Sequence, residues 1–102
     1  MKLFGIKDEN KELYFNIEKV QNTLKLIDKI SLILFDEDMA NQFEDRWQTG
    51  LPEKEDYFGI EKEGIYMGVI ISEKRVHIII RGFPDNSADK RNIKQIITNE
   101  CK

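Results

Sequence analysis

The sequence predicts an α+β fold: a mostly antiparallel sheet of about five to six strands packed by about three helices, in the order ββα(β)αβββα. Three observations predict it. Short apolar runs separated by polar or glycine-containing turns recur at both ends of the chain, at hairpin spacing. Between and after them, apolar residues repeat at three- and four-residue intervals, the period of a helix face. The chain has only 102 residues, 40% hydrophobic and 34% charged, which suits one domain, 1–102, with one modest core.

The first segment, 1–17, reads as two strands around a polar turn. Leu3, Phe4 and Ile6 precede Asp8, Glu9, Asn10 and Lys11, and Leu13, Tyr14, Phe15 and Ile17 follow. Asp and Asn tolerate the left-handed backbone that a tight hairpin requires. Over 18–30, Val20, Leu24, Ile27 and Ile30 share one helical face and Leu26 falls off it. A strand reading competes, because Leu24, Leu26, Ile30, Leu32 and Leu34 also share parity. The apolar run 31–35 has the length of a buried strand.

Asp36 or Asp38 is then placed to cap a second helix, with Met39, Phe43 and Trp47 on one stripe and Glu44 and Asp45 on the outer side. Gly50 and Pro52 end it. A charged loop, 51–56, leads to strand-like runs at 57–60, 65–71 and 75–80, the last two joined by a tight turn at Glu73 and Lys74. Gly59, Gly64 and Gly68 punctuate this meander and point to bulges or a closely packed neighbour. Gly82 and Pro84 break the last strand, Ser87 offers an N-cap, and Ile93, Ile96 and Ile97 form the inner face of a C-terminal helix.

Composition limits the chemistry. No apolar run approaches the roughly 20 residues of a membrane-spanning helix. The N-terminus turns acidic by Asp8 without the apolar core of a secretory signal, so a cytoplasmic location is expected. The single cysteine, Cys101, makes no internal disulfide, and a single histidine, His77, leaves no histidine pair for acid–base or metal chemistry. Alternation puts His77 with Ile79, opposite Val76, Ile78 and Ile80, and no nucleophile motif accompanies it. The expectation is therefore no catalytic residue, no cofactor and no metal. Gly64 to Gly68 is glycine-x-x-x-glycine inside a strand pattern and lacks the lysine and hydroxyl of a phosphate loop. Asp36, Glu37 and Asp38 lack calcium-loop spacing and read as helix-dipole partners. Lys90, Arg91 and Lys94, with Arg81 nearby, read as cations on the outer face of the last helix, because the pI near 5.2 opposes a polyanion as ligand.

Charge asymmetry is the most informative feature. Residues 36–63 hold ten acids and three bases, a net charge of −7, against +4 for the rest of the chain. Such a segment steers a basic partner. A merely solvated acidic face is the competing reading. Trp47, Tyr57 and Phe58 interleave with the acids, the composition of protein interfaces, although Trp47 on its stripe equally suits the core. The expected partner-binding residues are Asp36, Glu37, Asp38, Glu44, Asp45, Trp47, Glu53, Glu55, Asp56, Tyr57 and Phe58.

A small acidic α+β domain of this kind resembles the immunity proteins of bacterial polymorphic and contact-dependent growth inhibition toxin systems. The resemblance spans the whole chain through size, charge and architecture. It implies a non-enzymatic inhibitor that binds one cognate toxin domain, commonly a nuclease, and blocks its active site or substrate groove, without contacting nucleic acid or membrane itself. A nuclease must be basic to hold phosphates, so its inhibitor presents carboxylates instead. Two other readings stand beside it: a phage-type anti-defence protein that mimics nucleic acid, and a small hydrolase using His77 with a carboxylate.

Overall fold

The computed structural model of the chain describes residues 1–46 and 56–101, the side chains of 43–46 excepted. Strands β1 (Leu3–Glu9) and β2 (Glu12–Glu18) form the expected opening hairpin around Asn10 and Lys11. Helices α1 (Gln21–Leu34) and α2 (Glu37–Arg46) follow, then the meander β3 (Asp56–Lys62), β4 (Ile65–Ile71) and β5 (Arg75–Arg81), and finally α3 (Ala88–Glu100). The sheet is antiparallel throughout, in the order β1-β2-β5-β4-β3, with β5 seated between the hairpin and β4. The α+β architecture read from the sequence is the one observed, with five strands.

Alternation decides which side of the sheet is buried. Leu13, Phe15 and Ile17 of β2, Met67, Val69 and Ile71 of β4, and Val76, Ile78 and Ile80 of β5 are fully buried. They pack against Leu26, Ile27 and Ile30 of α1 and Ile93 and Ile97 of α3 in one hydrophobic cluster, with Met39 of α2 against it. Each such side chain contributes roughly 1.5–3 kcal/mol by leaving water.

Two expectations about the first helix need correction. Residues 31–34 are not a strand but the last turn of α1, and Phe35 ends the helix by donating its N–H to the Ser31 carbonyl at 2.8 Å. A short apolar run has no period of its own, and here the helical neighbours extend through it. The buried stripe is also rotated: Leu26 is buried and Leu24 only partly so. The rotation follows from two buried hydroxyls that are satisfied locally. Thr23 Oγ1 accepts from the Val20 amide at 3.0 Å and donates to the Glu18 carbonyl at 2.7 Å, and Ser31 donates to the Asp28 carbonyl at 2.9 Å.

Tight turns position the meander. β3 and β4 are joined by Glu63 and Gly64, both with positive φ (54° and 84°), as a twisted two-residue hairpin requires. Ser87 caps α3 by accepting from the Lys90 amide at 3.2 Å. The cations of α3 face the first hairpin rather than solvent alone: Lys90 and Lys94 hold Asp8 at 2.5 and 2.6 Å, and Lys90 also donates to the carbonyls of Glu9 and Asn10. These two ammonium groups, Lys90 foremost, hold the Asp8 carboxyl below the usual carboxylate range. The ends of the chain are thereby fastened to one another, and Lys29 of α1 adds a 2.5 Å ion pair to Glu100 of α3.

Candidate functional site

The acidic segment is gathered by a contact between its two ends. Asp36 sits between α1 and α2 and caps α2, its Oδ1 accepting from the Met39 amide at 2.9 Å. Its other oxygen receives the ammonium of Lys62, the last residue of β3. Lys62 above all, and the Met39 amide after it, hold the Asp36 carboxyl below its ordinary value, while the carboxylate raises the lysine. The exposed residues Glu37 and Asp38 in the first turn of α2 are thus set beside the end of β3 and Glu63 just after it, while Glu61 alternates to the other side of the sheet. A depression of about 330 Å³ lies at this junction, lined by Ile33, Leu34, Phe35, Asp36, Lys62, Glu63 and Ile65. Lys62 is the only base among these residues and is already held by Asp36, so the flank presents negative charge to a partner.

The second surface is the side of the sheet that the helices leave open. By strand register its rows run Glu9, Glu12, Arg81, Tyr66, Glu61; then Lys7, Tyr14, Ile79, Gly68, Gly59; then Gly5, Asn16, His77, Ile70, Tyr57; then Glu18 with Arg75. Charged rows border an apolar and aromatic middle. The Tyr66 ring lies across Gly59 and Gly68, where an added Cβ would come within 2.7 and 2.6 Å of its hydroxyl oxygen. That hydroxyl is hydrogen-bonded to the Tyr57 hydroxyl, and burial together with this bond pushes the Tyr66 phenol up to about 12. Tyr14 Oη lies 2.8 Å from His77 Nδ1, to which it donates when the neutral imidazole carries its proton on Nε2. A bulge between Leu3 and Gly5 brings the Phe4 ring under the Arg75 guanidinium, 4.1 Å from the ring centroid.

The expected partner-binding residues divide between these surfaces. Asp36, Glu37 and Asp38 form the acidic flank. Tyr57 is 55% exposed on the open face, while its neighbour Phe58 points the other way and packs, partly buried, against the core. Residue-by-residue alternation in β3 separates the pair that the sequence reading had joined. Asp56 begins β3 and its Oδ1 accepts from the Tyr57 amide at 2.8 Å. Glu44 and Asp45 lie in α2, but their side chains, and the whole of Trp47, Glu53 and Glu55, fall outside the described residues. The loop 51–55 and the helix end at Gly50 and Pro52 fall there as well.

The open face as a surface escaped the sequence reading, although its signal is present: Tyr14 and Asn16, Tyr66 and Ile70, and His77 and Ile79 share the parity opposite to the core residues of their strands. Among the described residues no group of three or more His, Cys, Asp or Glu side chains is arranged to hold a metal ion. Comparison of the chain with protein families, with curated proteins and with solved structures finds no match.

Proposed function

We propose that this protein is a non-enzymatic inhibitor that neutralises a basic partner, in the manner of an immunity protein acting on a nuclease-class toxin domain, through the acidic flank of α2 and β3. The observation that supports this reading is the Asp36–Lys62 contact, which brings the exposed Glu37 and Asp38 at the start of α2 next to Glu63 just after the end of β3. A merely solvated acidic segment has no need of its ends held together. The backbone of the α2 start is set by the Asp36 cap and the Lys62 contact, so the exposed carboxylates it carries meet a cationic groove from one fixed direction.

The test is co-expression with the basic toxin domain encoded beside this chain, together with stoichiometric inhibition of that domain in vitro. Wild-type protein is expected to protect cells and to titrate the toxin one to one. Glu37→Lys and Glu63→Lys are expected to lose protection while melting within about 5 °C of wild type, since both positions are exposed and the larger loss falls to Glu37, which also faces the α2 dipole. Full protection by both variants would overturn the acidic interface, and substrate turnover by the purified chain would overturn the inhibitor reading.

A further inference from the structure

We propose that the open face of the sheet is a self-complementary interface through which two copies of this chain pack face to face, about a two-fold axis running along the strands between β2 and β5. The sequence of its rows carries the argument. An axis at this position lays β2 of one copy over β5 of the other, so each β2 residue meets the cross-strand partner of its own equivalent. Glu12 and Arg81, ion-paired at 2.8 Å within each chain, then face Arg81 and Glu12 of the second copy at one end, and Glu18 faces Arg75 at the other, so charges of opposite sign alternate at both ends. An axis through β5 itself would set Arg81 on Arg81 and Arg75 on Arg75. One line on the sheet therefore matches every charged β2–β5 row, and it leaves apolar contacts in the middle, Tyr14 against Ile79.

The polar groups of the middle support burial against a like surface. Tyr57 is bonded to Tyr66 and Tyr14 to His77, so these atoms can lose water with little penalty. Asn16 Oδ1 is the exception, a buried oxygen without a hydrogen-bond partner. That oxygen is already covered by its own chain, so Asn16 meets His77 of the second copy by packing alone. Ile70, 44% exposed, comes over Gly5, where there is no side chain to oppose it.

The size of the contact sets its strength. Four strands about 4.8 Å apart and seven residues long at about 3.4 Å each span roughly 19 by 24 Å in projection. That is near the lower limit for a specific interface, so the dimer is expected to be reversible, in the micromolar range or weaker. β3 overhangs the pair and keeps the acidic flank free, which separates this proposal from the inhibitor reading.

Sedimentation equilibrium of the full chain from about 1 μM to about 1 mM tests it. Wild type is expected to pass from monomer to dimer. Arg75→Glu, which sets carboxylate on carboxylate, is expected to weaken the dimer more than about tenfold, and Glu18→Arg combined with Arg75→Glu to restore it, because the reversed pair again meets its opposite. Arg75→Glu also gives up the Phe4 contact and sets two acids opposite one another within each copy, so thermal melts of both variants accompany the sedimentation, and the dimer constants are compared only at temperatures where each is folded. A chain that stays monomeric throughout overturns the proposal and leaves the face to a different polypeptide. A dimer indifferent to Arg75→Glu, or not restored by the double reversal, overturns it equally.

Discussion

Replacing Gly64 and Gly82 by alanine, one at a time, gives two substitutions of equal chemistry and unequal cost. Both glycines hold positive φ, 84° and 94°, where an L side chain is disfavoured by about 1–2 kcal/mol. Alanine also stiffens the unfolded chain, which returns about 0.4–1 kcal/mol. At Gly64 nothing lies within 4 Å of the added Cβ, so the net cost is about 1 kcal/mol. At Gly82 the Cβ would fall 2.0 Å from the Gly64 carbonyl oxygen. Both atoms belong to backbone, and ordinary carbon–oxygen contacts begin near 3.3 Å, so the strand end must shift by about 1 Å or more. The shift also loosens the amides of Gly82 and Phe83 from the Lys11 carbonyl, now 3.0 and 3.1 Å away. Such overpacking adds roughly 1–3 kcal/mol. A chain of this size loses about 4–8 °C of Tm per kcal/mol, which predicts a drop of that order for Gly64→Ala and about two to four times as much for Gly82→Ala. Thermal melts and urea titrations on the two variants measure it. Equal losses would refute the claim that the β5–α3 connection rests directly on the β3–β4 turn.

Three further outcomes follow from the same geometry. Glu63→Asn is expected to stabilise the protein by about 0.5–1 kcal/mol in urea titrations, because asparagine accepts the left-handed backbone of this turn more readily than glutamate. Asp8 and Asp36 titrate below the ordinary carboxylate value in the folded protein, so the stability they contribute is complete above about pH 4 and is lost as pH falls through their depressed values; Asp8→Asn should flatten the acid limb of a Tm-versus-pH curve. Tyr66 runs the other way: its phenol keeps its proton to about 12 when folded, so its contribution is intact below about pH 10 and lost as pH rises through that interval, and Gly68→Ala, by displacing the ring, should move one phenolate absorbance step back towards 10.

What the sequence discloses and what it conceals divide along physical lines. Strand alternation is a local property, and it placed His77 with Ile79 on the face opposite Val76, Ile78 and Ile80, as observed. The cap at Ser87 was equally legible, and that of α2 was narrowed to Asp36 or Asp38, of which Asp36 is the one observed, because capping is decided within four residues. The burial of Thr23 and Ser31 was not, since hydroxyls count as polar until their local acceptors are known, and that hid the true face of α1. The density of acid over 36–63 is visible in composition, but the Asp36–Lys62 contact that joins its two ends depends on tertiary packing. The clamp of Lys90 and Lys94 on Asp8, across more than eighty residues, was hidden for the same reason.

The inhibitor account rests on attraction between the acidic flank and a basic partner, and the dependence of the association rate on ionic strength measures that attraction most directly. With the proposed toxin partner immobilised, wild-type kon should fall steeply as salt rises. Glu37→Gln, Asp38→Asn and Glu63→Gln together should lower kon several-fold at low salt and flatten its salt dependence, with koff nearly unchanged, because exposed charges steer an encounter more than they hold a complex. A kon that is indifferent both to salt and to the three substitutions would contradict the account.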